Sequence, residues 1–335
     1  MKIGLTYDLR TENALQPGEP PDANAEFDHP DTVEVIAEAV RVLGHEPVRI
    51  GNVHQLIRQW DRLDVDFVFN IAEGKSGRNR EAQVPILLEL KKIPYAGSDA
   101  LTQALTLDKL ITKKVLVSEG IPTPRYFQIE EPSAALPTHL EFPLIVKPRF
   151  EGSSKGLSEK SKVSSVEELK RQAAWLIETY QQPALIEQFI RGNEYTVAII
   201  GNKTPEVFPP VQIQIDGKKN LGDLFYTFTR IREGAQYLCP AEIPSSLDRQ
   251  LRDLALRTYR AVDCVDFGRV DFRVDESGKP YVLEINPLPS ISTEDVFAVL
   301  AKYLDIPFSA MLGKIITTAM ERNGLTKTST QGVPA

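Results

Sequence analysis

The first hundred residues alternate between short apolar runs and stretches in which apolar side chains recur at helical spacing. Val33, Ile36 and Val40 mark one such helix, which ends at Gly44. This alternation predicts βαβ units and a parallel sheet. The predicted strands are 2–7, 66–70 and 93–95, and the predicted helices are 32–43 and 83–90.

The segment 11–30 interrupts this alternation and is rich in Pro, Asp and Glu. Such a composition favours an exposed and mobile loop. Long loops of this kind often carry function.

The rest of the chain predicts a second set of elements that begins after Gly97. The glycine- and serine-rich turn 151–156, which follows Lys147 at the end of a strand, is the strongest candidate for a functional loop. Strands 184–189 and 194–200 are expected to be joined by a turn at 191–193. The other predicted elements are helices 101–119, 166–180 and 247–262, strand 142–148, and a hairpin of 268–274 with 280–285.

Composition and charge narrow the class of protein. With 335 residues, 42% hydrophobic and 25% charged, the chain matches globular proteins of more than one domain. Its apolar runs fall short of the roughly 18 residues of a membrane span, and Asp8 interrupts any secretory leader, so we expect a cytoplasmic protein with no membrane partner. A net charge of -7 argues against nucleic acid as a partner. The spacing of the cysteines indicates neither a disulfide nor a zinc site.

The predicted hairpin places three oxygen ligands together. Asp271 lies on one strand, and Glu284 and Asn286 share one face of its partner because side chains alternate with period two. Hard oxygen ligands suit Mg²⁺, which completes its shell with water and phosphate oxygens. The alternative is that these acids are solvated structural residues at the end of a hairpin.

A series of sequence strings is distributed along most of the chain. The strings are FVFN, LLELKKIPYAGS, ALTLDK, GIPTP, FPLIVKPRFEGSSKG, LIEQFIRGNEYTV, QYLCPA, FGRVDF and LEINPLP. Together they carry a resemblance to the ATP-grasp superfamily and, within it, to the D-alanine:D-alanine ligase family. The resemblance implies an α/β protein with a three-domain ATP-grasp fold, α+β in its ATP-binding part, and an N-terminal Rossmann-like lobe. The implied domains are 1–97 on the donor side, a central lobe at 98–186, a catalytic lobe at 187–324 and a tail at 325–335.

The same resemblance implies an ATP site. Lys109 and Lys147 look like the lysines that contact the phosphates. Glu187 with the backbone of its neighbours resembles the adenine contact, and Glu194 resembles the ribose contact. Each of these residues has a plain alternative as a surface side chain or an ordinary turn. The remaining residues implied to bind ATP are Glu151, Gly152, Gln188, Phe189 and Ile190, and Ser153 and Ser154 of the phosphate-covering loop are implied to be catalytic.

Arg269 completes the implied machinery. It lies two residues before Asp271, so both side chains share a face, and its guanidinium would stabilise an acyl-phosphate or tetrahedral intermediate. A salt bridge to the metal ligands is the plainer alternative. The implied reaction uses ATP and Mg²⁺ or Mn²⁺ to join a small carboxylate to an amine, in a homodimer.

The chain departs from the family at the substrate positions. Glu26 or Asp28 is the candidate for holding the donor ammonium, and Glu73 replaces a histidine of the family. Arg230 and Arg232 are nearest to a family lysine and tyrosine that are not matched. Asp295 falls where the family has a serine for the acceptor carboxylate, unless Ser292 or Thr293 takes that role.

Three hypotheses follow from these departures. The first is a ligase of this family with an altered substrate pair. The second is a genuine D-alanine:D-alanine ligase of cell-wall synthesis. The third, a non-catalytic nucleotide-binding regulator, conflicts with the complete set of catalytic and metal residues.

Overall fold

A computed structural model describes residues 1–230 and 235–326 of the chain. The first lobe is a four-stranded parallel sheet of order β2-β1-β3-β4, as the alternating pattern predicts. The second strand and the helix α2 were not predicted. The elements are β1 (Lys2–Thr6), α1 (Pro30–Val42), β2 (Glu46–Gly51), α2 (Val53–Arg58), β3 (Phe67–Asn70), α3 (Gln83–Lys91) and β4 (Tyr95–Ala96).

The helix predicted at 101–119 is two helices, α4 (Ala100–Leu107) and α5 (Lys109–Ser118). Asp108 breaks it with an extended ψ of 90°, and its carboxylate accepts from the backbone N–H of Ile111, which caps α5. Arg149 donates to both oxygens of this carboxylate at 2.7 Å. The break therefore points the start of α5, with Lys109, toward the loop after residue 148.

Two antiparallel sheets follow. The first has the order β5-β8-β6-β7 and packs against α6, and the second has the order β12-β11-β9-β13-β14, with β10 paired to β9. The strands of the first sheet are β5 (Tyr126–Ile129), β6 (Leu144–Pro148), β7 (Lys162–Val163) and β8 (Ala184–Gln188), and α6 (Val166–Tyr180) precedes β8 in the chain. The strands of the second sheet are β9 (Gly192–Ile200), β10 (Glu206–Val207), β11 (Val211–Gln214), β12 (Gln236–Leu238), β13 (Phe267–Asp275) and β14 (Pro280–Asn286), and α7 (Ser245–Ala261) precedes β13.

The expected turn between β8 and β9 is wrong. These strands belong to different sheets, and Gly192 and Asn193 already form part of β9. The domain boundary expected at 186/187 also cuts through β8, because the strand continues to Gln188. The chain crosses from one sheet to the other just after Gln188, so the cleft between the sheets lies at this crossing.

The last helices, α8 (Val296–Tyr303) and α9 (Phe308–Arg322), pack on the first lobe and not on a separate C-terminal core. Phe297 and Ile316 share one buried cluster with Ile36 of α1 and Phe69 of β3. The expected domain 187–324 therefore shares a core with residues 1–97. The predicted tail begins at Leu325, which packs against this cluster, and continues beyond the described residues.

No single helix in 1–230 and 235–326 is long and apolar enough to span a membrane. The pair α8 and α9 reaches the required length only when taken together, and the two helices are bent by 111° at the break.

The segment 11–30 is a loop up to the start of α1 at Pro30, and most of residues 11–21 are exposed, as the composition favours. Its second half is not, because Asp22 is 5% and Phe27 is 4% exposed. Asp22 accepts from the backbone N–H of Gly156 at 2.7 Å and from the hydroxyl of Tyr180 at 2.9 Å. Asp22 thus joins the segment to the loop after β6 and to the end of α6.

Asp266 joins the first lobe to the C-terminal part. Its fully buried carboxylate accepts from Gly97 N–H at 2.9 Å, Asn202 at 3.1 Å and Arg322 at 2.7 Å. Asp266→Asn is expected to lower the free energy of unfolding by about 1–3 kcal/mol, because charge-assisted bonds are lost while the partly exposed Arg322 stays solvated. Urea unfolding followed by circular dichroism measures this change.

Asp253→Asn is the matched control, since Asp253 lies on the exposed face of α7, 4.0 Å from Arg257. It should change the unfolding free energy by less than about 0.5 kcal/mol. Equal effects of the two substitutions would contradict the role of Asp266 as the link.

Candidate functional site

A cavity of about 570 Å³ lies where the two antiparallel sheets meet the loops of the first lobe. It brings together almost every site residue that the sequence predicts. These are Glu26, Asp28, Glu73, Lys109, Lys147, Glu151, Gly152, Ser153, Ser154, Glu187, Gln188, Phe189, Ile190, Glu194, Arg269, Asp271, Glu284, Asn286 and Asp295.

The hairpin of β13 and β14 aligns the predicted metal ligands. Asp271 is paired with Glu284 across the hairpin, and Arg269 is paired with Asn286. The guanidinium of Arg269 donates to both oxygens of Asp271 at 3.0 and 2.8 Å. Asn286 and Thr196 donate to the same carboxylate at 2.9 and 2.6 Å. Asp271 is therefore oriented by three donors, and its neighbours offer further oxygens on the same face.

Lys109, at the start of α5, reaches the hairpin from the other side of the cavity. Its Nζ lies 3.1 Å from the carboxylate of Glu284 and donates to the carbonyl of Glu151 at 2.5 Å. Burial alone would raise the pKa of Glu284, but Lys109 and Lys147 outweigh it and lower that pKa to about 2. Both partners are charged at neutral pH, as contacts to phosphate and to a metal require.

Glu187 is buried between two lysines. Its carboxylate lies 2.6 Å from Lys147 and 3.1 Å from Lys113, and its side chain is 1% exposed. The surface alternative for Glu187 and Lys147 is therefore wrong. With the carboxylate directed at the lysines, the predicted adenine contact rests on the backbone of Phe189 and Ile190.

Lys113, which contacts Glu187, was not among the site residues predicted from the sequence. Burial lowers its pKa to about 8, although Glu187 opposes that shift. A signal was available, because Lys113 follows Lys109 by four residues on one helix and therefore shares its face.

Glu194 is also buried, with a partner that the sequence did not suggest. Arg273 on the neighbouring strand donates to its carboxylate at 2.5 Å. The Arg273 guanidinium lies 4.6 Å from the centre of the Phe189 ring, which in turn meets Phe225 edge to face at 5.7 Å. These rings give the cavity an apolar wall suited to a planar base, next to a carboxylate suited to hydroxyl groups.

The loop after β6 holds two non-glycine residues in the left-handed region, Ser153 at φ 47° and Ser154 at φ 55°. Glu26 accepts from the backbone N–H of Gly152 at 2.7 Å, and Lys155 donates to Glu26 at 3.0 Å. The segment 11–30 thus reaches across the cavity to the predicted phosphate loop. Glu26 was expected to hold the donor ammonium, but its carboxylate already accepts hydrogen bonds from Gly152 and Lys155 of this loop.

One predicted substrate residue, Arg230, is not among the residues that line the cavity. Its guanidinium pairs with Glu159 at 2.7 Å and donates to the carbonyl of Phe225. The structure therefore does not bring Arg230 together with the other predicted site residues, because Glu159 holds its guanidinium. Arg232 lies outside the described residues.

Asp295 does line the cavity, at the start of α8. Ser290 and Ser292 donate to one of its oxygens at 2.5 and 2.6 Å. Ser292 is thus engaged with Asp295, and both residues line the cavity.

Comparisons with known proteins agree with this geometry. The family model described as "D-ala D-ala ligase C-terminus" matches residues 115–317. The uncharacterized protein y4sG of Sinorhizobium fredii is 37% identical over 86% of this chain and 87% of its own length. The D-alanine–D-alanine ligase of Pelotomaculum thermopropionicum is 31% identical over 88% and 92%. The crystal structure of the Bacillus anthracis D-alanine–D-alanine ligase complexed with ATP superposes with a TM-score of 0.75, at 25% identity over 97% of this chain and 99% of that one.

The raised pKa of Asp28 predicts how the stability of the protein depends on pH. Burial, Asp8 and Asp295 raise this pKa to about 8, against about 4 in an unfolded chain. Between these values the unfolded state loses the proton first, so Asp28 should destabilise the fold as pH rises from about 4 to 8. The stability advantage of Asp28→Asn over the wild type should therefore grow across that window, as urea unfolding at each pH measures.

Asp61→Asn is the control, because Asp61 is exposed. Its stability difference from the wild type should stay flat across the same window. A flat difference for Asp28→Asn as well would mean that Asp28 is ionised in the folded protein.

Proposed function

Because this chain belongs to the D-alanine–D-alanine ligase family, whose members use ATP to form carbon–nitrogen bonds, we propose that it joins an amino-acid carboxylate to an amine other than D-alanine. The chain is an ATP-dependent ligase with the α/β architecture of that family. The substrate pair is the part that we propose here.

The reaction proceeds in two steps. The donor carboxylate attacks the terminal phosphorus of ATP, so that ADP leaves and an acyl-phosphate forms. The amine then attacks the acyl carbon, a tetrahedral intermediate collapses, and phosphate leaves with formation of the amide. Lys109, Lys147 and Arg269 line one cavity, in which the two lysines would hold phosphate oxygens and Arg269 would stabilise the oxyanion.

The hairpin fits a magnesium or manganese ion. Two carboxylates and one amide from Asp271, Glu284 and Asn286 form a hard oxygen donor set on one face. Bound there, the ion would neutralise charge on the phosphates. Arg269 would keep Asp271 oriented, since it donates to both of its oxygens.

Asp295 is the observation that carries the proposed change of substrate. A free amino-acid carboxylate about 4 Å from this side chain would be repelled by roughly 1 kcal/mol in water and by several times that in a closed cavity. An acceptor with a cationic or neutral group at that point, such as a diamine or an amide, fits better. Genuine D-alanine:D-alanine ligase activity stays the second candidate, supported by relatives that carry that name.

The homodimer and the cytoplasmic location belong to the proposal as well. Leu90 on α3 is 71% exposed and Leu101 on the neighbouring α4 is 72% exposed, which suits a contact between subunits. Light scattering of the purified chain measures the oligomeric state.

ADP release in the presence of Mg²⁺, ATP and pairs of L- and D-amino acids and diamines tests the proposal, with mass analysis of the products. An amide product containing a cationic or neutral acceptor is expected. Efficient D-alanyl-D-alanine synthesis would favour the second candidate, and no ADP release with any pair would leave nucleotide binding without turnover.

Arg269→Ala is expected to lower kcat by roughly 10² to 10³, as loss of one preorganised oxyanion donor typically does. The KM for ATP should change less, because the interaction is strongest in the transition state. Arg269→Lys should recover only part of the rate, since an ammonium cannot reproduce two parallel bonds to Asp271. Arg260→Ala on the exposed end of α7 is the control, and a change in KM alone would make Arg269 a binding residue.

Asp295→Ser is expected to improve free D-alanine as an acceptor at least about tenfold in kcat/KM, since it removes the repelling carboxylate. Steady-state kinetics of both proteins with D-alanine and with a diamine measure this exchange of preference. If the wild type already uses D-alanine efficiently and the serine variant is no better, the altered acceptor is excluded.

A further inference from the structure

Three carboxylates meet on the side of the cavity formed by the first lobe. We name Glu26, Glu73 and Glu81 the triacid cluster; each offers an oxygen that lies within 4.8 Å of an oxygen of the other two. All three line the same cavity as the predicted ATP site. Three negative charges at such distances repel strongly unless cations or protons accompany them.

Within the described residues, protein cations form hydrogen bonds with only one member of the triacid cluster, Glu26. Glu26 is contacted by Arg80 at 2.5 Å, by Lys155 at 3.0 Å and by the N–H of Gly152. Burial alone would raise its pKa, but Arg80 and Lys155 lower the pKa of Glu26 to about 2. The charge of Glu26 is thus balanced by Arg80 of the first lobe and by Lys155 of the loop after β6.

Glu81 is buried, and its side chain accepts no hydrogen bond from the described part of the chain. It is 8% exposed, and within residues 1–230 and 235–326 its nearest cation is the Arg80 guanidinium at 4.0 Å, beyond hydrogen-bond distance. The side chain of Glu73 makes neither a hydrogen bond nor an ion pair in the same described part of the chain. Burial raises the pKa of Glu81 to about 7 and that of Glu73 well above its usual value. Two acceptors facing one cavity thus lack a donor.

The position of the triacid cluster relates it to the donor substrate. Lys109 is close enough to act electrostatically on both Glu26 and Glu81. The carboxylate of the donor must approach this same phosphate end in order to attack ATP. The cationic part of the donor would then extend from Lys109 toward the cluster.

We propose that Glu73 and Glu81 bind a second cationic group of the donor, so that the donor is an amino acid with an ammonium-bearing side chain. This inference rests on the proposed function, and it specifies the donor where Asp295 concerns the acceptor. An ammonium supplies the hydrogen-bond donors that both carboxylates lack and offsets their mutual repulsion.

Hydroxylamine as a common acceptor isolates the choice of donor, because it traps the acyl-phosphate as a hydroxamate. With Mg²⁺ and ATP, ornithine and lysine in both chiral forms are compared with D- and L-alanine. The better diamino acid should exceed alanine at least about tenfold in kcat/KM, a ratio that one good ionic contact supplies.

Glu81→Gln and Glu73→Gln should each reduce that ratio at least about tenfold, mainly through the KM of the diamino acid. Glu131→Gln, at an exposed position without a side-chain contact in the described residues, is the matched control and should keep the ratio. Circular dichroism confirms that each variant is folded. Calorimetric titration of ornithine in the presence of a non-hydrolysable ATP analogue gives a second measurement, in which both variants should bind at least about tenfold more weakly.

The outcomes separate this inference from the proposed function. Hydroxamate formed equally well from alanine and the diamino acids, with the ratio unchanged in both variants, overturns the inference and leaves the ligase function standing. Binding of Mn²⁺ that Glu81→Gln abolishes without any effect on the donor ratio also overturns it, in favour of a metal site. Weak hydroxamate formation from every donor, with intact ornithine binding that the variants lose, supports the subsite and contradicts the proposed turnover.

Discussion

A charged side chain that leaves water must find a partner of opposite charge, and this requirement organises the cleft of the protein. The buried pairs are Lys113 and Lys147 with Glu187, and Arg273 with Glu194. Two further pairs, Lys109 with Glu284 and Arg269 with Asp271, are partly buried. Most of these pairs join different elements: α5 with β14, α5 and β6 with β8, and β13 with β9. Removing one partner of the pairs at Glu187 or Glu194 would leave a buried charge alone, which typically costs about 3–5 kcal/mol. The same pairs that hold the elements together therefore keep the side chains of the cavity in place.

This arrangement has a consequence for ATP. The cations that would contact phosphate are already desolvated and aimed by carboxylates, so little reorganisation accompanies binding and reaction. Phosphate oxygens would share Lys109 and Lys147 with Glu284 and Glu187, while a metal ion would share Glu284 with Lys109. Such an exchange of partners would keep the local charge balanced when a nucleotide binds. The first lobe contributes through Glu26, which holds the N–H of Gly152 in the loop expected to cover the phosphates.

Much of the fold could be predicted from the sequence, because local patterns determine it. The helix at 166–180 has the predicted bounds, since an amphipathic repeat follows its N-cap Ser165. The hairpin of β13 and β14 was predicted from alternation and a turn. Features that depend on distant contacts were not predicted, including the break at Asp108, which Arg149 holds, and the docking of Asp22 against Gly156. The same limit applies to the site. Spacing alone predicted that Asp271, Glu284 and Asn286 share one face. Arg273 and Glu81 lie next to residues far away in the chain, so spacing could not predict their place in the site.

The central claim is that the cleft activates a carboxylate by phosphorylating it, and transfer of an oxygen atom tests this most directly. Alanine, ornithine and lysine labelled with ¹⁸O in the carboxylate are incubated with the protein, Mg²⁺, ATP and an amine, and the released phosphate is analysed by mass spectrometry. An acyl-phosphate carries one donor oxygen to the phosphate, so the account predicts one ¹⁸O atom in each phosphate formed with the product. Amide formation with unlabelled phosphate would contradict it.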